Sequence, residues 1–266
     1  MNIYYPFRTT IHSDLPQAPQ TNRQRPAPSA PHPQTGSSVI NFANGNSSAG
    51  GSGDNNLRWA TRAPNTYQRG NPPIASRPYS PNELVSGFSQ KWGTMNCVTV
   101  AGIKAAMQRF GGPNQVYHSV ERTKDGFDIR MRDNPNKTYH VTYSELQYAA
   151  ASSGFRGTNQ KMLNEANFMY AVSAKRAQHE NNDGYASRSF AAAVSSLDTW
   201  ENTQEGLDRL GLRNYVRPAT AHDLIRGVPG VMAQSNHVFT VLNGRTENYG
   251  RLGYQPNPWA PALKLV

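Results

Sequence analysis

From Leu15 to Ser80 the chain has almost nothing with which to build a core, and this confines any compact fold to the residues beyond Ser80. The stretch is rich in Pro, Gln, Asn, Ser and Gly: PQAPQTNRQRPAPSAPHPQTGSS, then NGNSSAGGSGDNN, then RGNPPIASRPYSP. Too little apolar surface is present there to offset the entropy of ordering the backbone. The stretch contains no lysine, and its positive charge comes from Arg23, Arg25, Arg58, Arg62, Arg69 and Arg77. Residues 1–80 are therefore expected to be a disordered leader, and residues 81–266 a single α+β domain. Only 36% of the 266 residues are hydrophobic, which the leader accounts for.

Several classes fall away on simple counts. One cysteine forms no intrachain disulfide and no cysteine-based zinc site. No run of apolar residues is long enough to span a membrane, and the first ten residues, MNIYYPFRTT, lack the basic and apolar regions of a Sec signal. With 27 Lys and Arg against 17 Asp and Glu the net charge is +10, which permits acidic partners. The basic residues are dispersed, however, and no RNP or zinc motif is present, so a nucleic-acid partner is disfavoured. No cofactor is called for.

The domain's texture is legible by period. Leu84, Val85 and Phe88 suggest a short opening helix. The run Cys97 to Phe110 carries Ala101, Ile103, Ala105 and Met107 at helical spacing and ends at Gly111-Gly112-Pro113, a strong stop. Residues 126–132 and 138–143 alternate apolar and polar positions around Asp133–Lys137, which reads as a β-hairpin. Helices are expected over 144–151, 161–177 and 201–210, with Gln178–Tyr185 as a polar loop. A further helix opens at Thr220, its expected N-cap. The runs 230–233 and 237–242 read as strands, closing at the hairpin dipeptide Asn243-Gly244.

Chemistry starts from Cys97 in the first turn of the best-defined helix. Unpaired backbone N–H groups and the positive end of the helix dipole are expected to lower its pKa and to hold an oxyanion. A thiol nucleophile needs a proton acceptor, for which imidazole is the usual choice. Of the seven histidines, His12 and His32 fall in the leader, His179 in the polar loop, His118 and His140 near strands, and His222 beside Asp223 at a helix start. His237 opens the strand HVFTVL, where its ring would be rigidly held. Asn257, in QPNPWA, supplies a carboxamide oxygen that could orient the imidazole, with Trp259 covering that hydrogen bond. His237 stands 140 residues after Cys97, inside the interval of about 130–150 typical of papain-like enzymes, and Asn257, 160 after it, falls slightly beyond.

Asn96-Cys97 at a helix start, Asn236-His237-Val-Phe-Thr-Val in a strand and Asn257-Pro258-Trp259 together resemble the catalytic blocks of the calpain-like cysteine proteases of papain fold. The hairpin GFDIRMR…KTYHVTY is similar to the strand pair lying between those blocks in that family. The resemblance covers roughly residues 88–260. It implies a papain-like fold, with a helical half carrying the cysteine and a strand-rich half carrying His and Asn. It also implies peptide-bond hydrolysis by a Cys97–His237–Asn257 triad, supported by Asn96 and Trp259.

The sequence departs from the family at two positions. Lys91 occupies the place of the family's oxyanion glutamine, leaving Gln90 as the candidate, and Val98 replaces a tryptophan. No acidic loop with calcium-ligand spacing is present. The same triad on related folds serves deamidases and transglutaminases, so the reaction class stays open at this point. A basic, non-enzymatic binding protein is the alternative outside enzymology. The lysine-free leader followed by a thiol-protease-like domain resembles bacterial effector proteases delivered into host cytoplasm, which implies a host protein as substrate. Self-processing within residues 41–54 belongs to the same reading.

Overall fold

The computed structural model describes residues 77–266, a mixed α+β arrangement of eight α-helices and three antiparallel sheets. Residues 1–76 of the expected leader, the self-processing segment included, lie outside the described residues.

Helix α1 (Pro81–Gly87) starts at a capping box, in which Ser80 and Glu83 satisfy each other's backbone N–H groups. Helix α2 (Cys97–Arg109) comes after a turn and is buried all round from Val98 to Gln108, so it runs through the middle of the domain. It stops where the sequence requires: Gly111 takes φ +107, and Pro113 opens α3 (Pro113–Val116). Strands β1 (Ser119–Arg122), β2 (Gly126–Met131) and β3 (Asn134–Thr142) form the first sheet. Phe127 pairs with Val141 and Ile129 with Tyr139, placing four core side chains on one face. Helix α4 (Tyr143–Ser152) opens at a second capping box, Thr142 with Glu145.

Helix α5 (Gln160–Glu180) is the longest and ends at Asn181, which adopts the left-handed conformation at φ 52. It extends three residues beyond its expected end at Ala177, so His179 sits on a helix against Tyr139 rather than in a polar loop. Helix α6 (Phe190–Ser196) comes next, then α7 (Glu205–Arg209), which is shorter than the expected 201–210. The cause is that Asn202 donates to the Glu205 carboxylate and Glu201 turns inward to Arg209, taking both out of the helix.

Strand β4 (Val216–Thr220), helix α8 (Ala221–Ile225), strands β5 (Gly230–Gln234), β6 (His237–Phe239), β7 (Val241–Leu242), β8 (Arg245–Asn248), β9 (Arg251–Leu252) and β10 (Pro261–Leu265) complete the chain. Thr220 is the last residue of β4, paired with Pro261, and its side chain makes no capping bond to α8. One sheet runs β4-β10-β5-β6 and the other β7-β8-β9. The Asn243-Gly244 hairpin forms as expected, with φ 52 and 74 at its two central residues, the two-residue turn that suits the strand twist.

The main core gathers α1, α2, α5 and the first sheet. A smaller cluster of Ala221, Leu224, Met232, Phe239, Val241 and Ala262 lies between α8 and the β-rich half. Helix α2 approaches α7 so closely that a Cβ on Gly102 would sit 2.8 Å from the Gly206 carbonyl carbon, so neither position has room for a side chain. Among the described residues, no helix is long and apolar enough to cross a membrane.

Candidate functional site

The N-terminal end of α2 meets the first residues of β6, and this brings Cys97 beside the His237 strand. Cys97 is half-buried, and three backbone N–H groups, those of Val238, Val98 and Cys97 itself, reach its sulfur. Val238 is the residue after His237, so helix start and strand start are joined through the thiol. The expectation of a lowered thiol pKa does not hold. Burial pushes the Cys97 thiol up, and it outweighs the three N–H groups, with the Glu201 carboxylate adding to the rise.

His237 is also half-buried, and burial holds its pKa below 6.5 against the opposing effect of a hydrogen bond with Asn248. Near neutral pH the Cys97 thiol is therefore protonated and the His237 imidazole neutral, the state in which an imidazole can accept a proton. Tyr249 stacks on the imidazole, ring centroids 5.3 Å apart and planes 16° from parallel. The exposed Trp92 ring lies 5.0 Å from Tyr249 in turn.

The partner of His237 is thus Asn248, where the sequence pointed to Asn257. The hairpin geometry explains the difference. Strands β6 and β7 form one line interrupted at Thr240, whose carbonyl accepts from Glu247 N–H at 3.0 Å, and Val241 pairs with Thr246. This register puts Asn248 diagonally across from His237, within reach of an extended pair. Its Nδ2 donates to Thr246 Oγ1 at 3.2 Å, leaving the carboxamide oxygen as acceptor for the imidazole. The oxygen of Asn257 accepts instead from Trp259 N–H at 3.1 Å, closing its own turn. Trp259 is 82% exposed and so does not cover the site; Tyr249 occupies that place.

The turn between β8 and β9 is Tyr249-Gly250, with φ 51 and 84. Tyrosine at positive φ is strained, and such residues persist only where their surroundings hold them. Asn248 and Tyr249 carry no motif by which sequence reasoning could have selected them; a strand pair ending in Asn-Tyr-Gly was the available signal.

Asn96 is almost fully buried and braces the start of α2. Its Nδ2 donates to Ser153 O at 2.9 Å, its Oδ1 accepts from Thr94 Oγ1 at 3.0 Å, and it hydrogen-bonds Tyr170. Gln90 is buried, and its Nε2 donates to Thr94 O at 2.7 Å, so one of its N–H groups braces the turn leading to Cys97. Among the described residues no group of three or more His, Cys, Asp or Glu could hold a metal ion. Comparison of the chain with known families, with curated proteins and with solved structures gives no match.

Proposed function

We propose that the chain is a thiol hydrolase of papain-like, calpain-related architecture that cleaves peptide bonds in a protein substrate. The observation that carries the reading is the meeting of Cys97, at a helix N-terminus, with the strand start of His237, whose imidazole is bonded to Asn248. The Cys97 S–H proton passes to the neutral His237 imidazole as the sulfur attacks the scissile carbonyl carbon. The carbonyl oxygen becomes an oxyanion beside the first turn of α2, with Gln90 as the side-chain donor. The C–N bond then breaks, and the leaving amine takes the proton from His237. Water, deprotonated by the same imidazole, hydrolyses the thioester and restores the thiol.

Asn248, in place of Asn257, holds the imidazole through these steps, and Tyr249 limits its exposure to water. A resting pair of thiol and neutral imidazole requires His237 to act as a base in the attack rather than to stabilise a standing thiolate.

The test is labelling of the full chain by a peptidyl epoxide and digestion of a peptide library, in wild type and His237→Ala. Labelling of Cys97 that falls sharply in His237→Ala, together with new peptide termini, is expected. Equal, slow labelling in both proteins would overturn the reading, and ammonia release without new termini would move the activity to deamidation.

A further inference from the structure

A buried ion pair links the nucleophile helix to the turn that holds the imidazole. Lys104 lies seven residues beyond Cys97, two turns along the same face of α2 and about 10 Å away by helix rise. Its side chain is fully buried. Nζ contacts Glu247 Oε2 at 2.9 Å, donates to Leu84 O at 2.8 Å, and sits over the Phe88 ring at 5.0 Å. Glu247 is 5% exposed and immediately precedes Asn248; its second oxygen accepts from Gly250 N–H at 2.7 Å. The carboxylate therefore bridges α2 to Gly250 in the strained Tyr249-Gly250 turn. Its own backbone N–H, bonded to Thr240 O, ties the same residue to the His237 strand.

Such a pair is a poor device for stability. Taking two charges out of water costs several kcal/mol each, and apolar replacements of similar volume are often neutral or stabilising. What the pair provides here is position: one carboxylate with two acceptor oxygens fixes the distance between the helix carrying Cys97 and the residues gripping His237.

We infer that Lys104 and Glu247 are positioning residues, whose bridge holds Asn248 and Tyr249 against His237 and so aligns the imidazole with Cys97. Their role in catalysis rests on the thiol-hydrolase reading, whereas their hold on the His237 ring does not depend on it.

The test uses the full chain carrying Lys104→Met with Glu247→Gln, a double change that leaves no buried charge unpaired. Lys104→Leu with Glu247→Leu serves as the second variant: it too leaves no buried charge unpaired, and it removes the acceptor for Gly250 N–H altogether. The readouts are the His237 pKa by NMR titration and the rate of Cys97 alkylation by iodoacetamide. Both variants are expected to melt cooperatively. With the ring freed, burial is the larger influence lost, so the His237 pKa should rise toward the ordinary value of about 6.5. The His237-dependent part of alkylation should fall on the order of 100-fold, the scale of an ångström's misplacement.

A folded variant with wild-type pKa and rate would overturn the inference, and if the first double variant does not fold, Lys104→Leu with Glu247→Leu decides by the same measures. Wild-type alkylation indifferent to His237→Ala would instead sink the hydrolase reading while leaving the pKa comparison intact.

Discussion

Replacing Asn248 with alanine separates the two asparagines that could serve His237. The carboxamide of Asn248 accepts from the imidazole and is itself anchored on Thr246 Oγ1 at 3.2 Å. Alanine keeps the strand and the turn but leaves a half-buried imidazole N–H without its acceptor. A buried polar group stranded in this way costs about 1–3 kcal/mol. If that cost falls on the productive orientation of the ring, His237-assisted alkylation of Cys97 slows by roughly 5- to 150-fold, at about 1.4 kcal/mol per decade.

A second consequence fixes the sign of the pH response. The Asn248 hydrogen bond is what raises the imidazole pKa against burial, so its removal drives that pKa further below 6.5. The acidic limb of the alkylation profile therefore moves to lower pH while the plateau falls. Asn257→Ala removes only the acceptor for Trp259 N–H in an exposed turn, and should leave both plateau and limb unchanged. The assay is pseudo-first-order alkylation by iodoacetamide, monitored by mass spectrometry from acid to alkaline pH. A collapse of reactivity in Asn257→Ala with wild-type behaviour in Asn248→Ala would refute the reasoning.

The packing around Cys97 leads to two further outcomes. In Gly206→Ala the new Cβ would meet Val98 O at 2.3 Å, backbone that cannot swing aside, so a loss of about 1–3 kcal/mol is expected, read as a lower Tm, and an unchanged Tm would show that α2 and α7 can part freely. Glu201 titrates at about 8 because burial outweighs Arg209; between the unfolded carboxyl value of about 4.3 and that point the folded chain binds a proton the unfolded chain lacks, so stability falls as pH rises through this window. Glu201→Gln should flatten that fall in thermal melts and, by removing a negative charge facing Cys97, lower the thiol pKa and speed alkylation above pH 8; a steeper fall would contradict the burial argument.

What the sequence made legible was what local chemistry decides. The helix Cys97–Arg109 could be read because its apolar residues recur at helical spacing and Gly111 with Pro113 cannot continue it. The hairpin at Asn243-Gly244 could be read because those two residues accept positive φ at little steric cost. Strand β10 and its partner β4 stayed hidden: Pro218 and Pro261 stand in them, and proline argues against a strand until an edge or first position accommodates it. Helix α7 came out short because Glu201 found a buried arginine, a long-range pairing that no window of sequence displays.

The site divides along the same line. Cys97 and His237 announce themselves, one by its place at a helix start and the other by opening an apolar strand. Their third partner depends on register. Asn257 looked right because Asn-Pro-Trp is a compact motif, yet a carboxamide at the start of a turn tends to bond its own backbone two residues on, as Asn257 does with Trp259. Asn248 owes its position to the two-residue Asn243-Gly244 turn: one residue more in that loop would slip the pairing and send Asn248 to the opposite face of the strand.

The thiol shows the converse, a correct placement with the wrong energetic sign. The helix N-terminus does supply two N–H groups to the Cys97 sulfur, and Val238 on the neighbouring strand a third, but the three together are outweighed by burial that only the folded core creates. Helix position sets which groups face the sulfur, and depth sets which protonation state prevails. The thiol form at neutral pH is therefore a consequence of the core behind Cys97, and loosening the first turn of α2 should favour the thiolate.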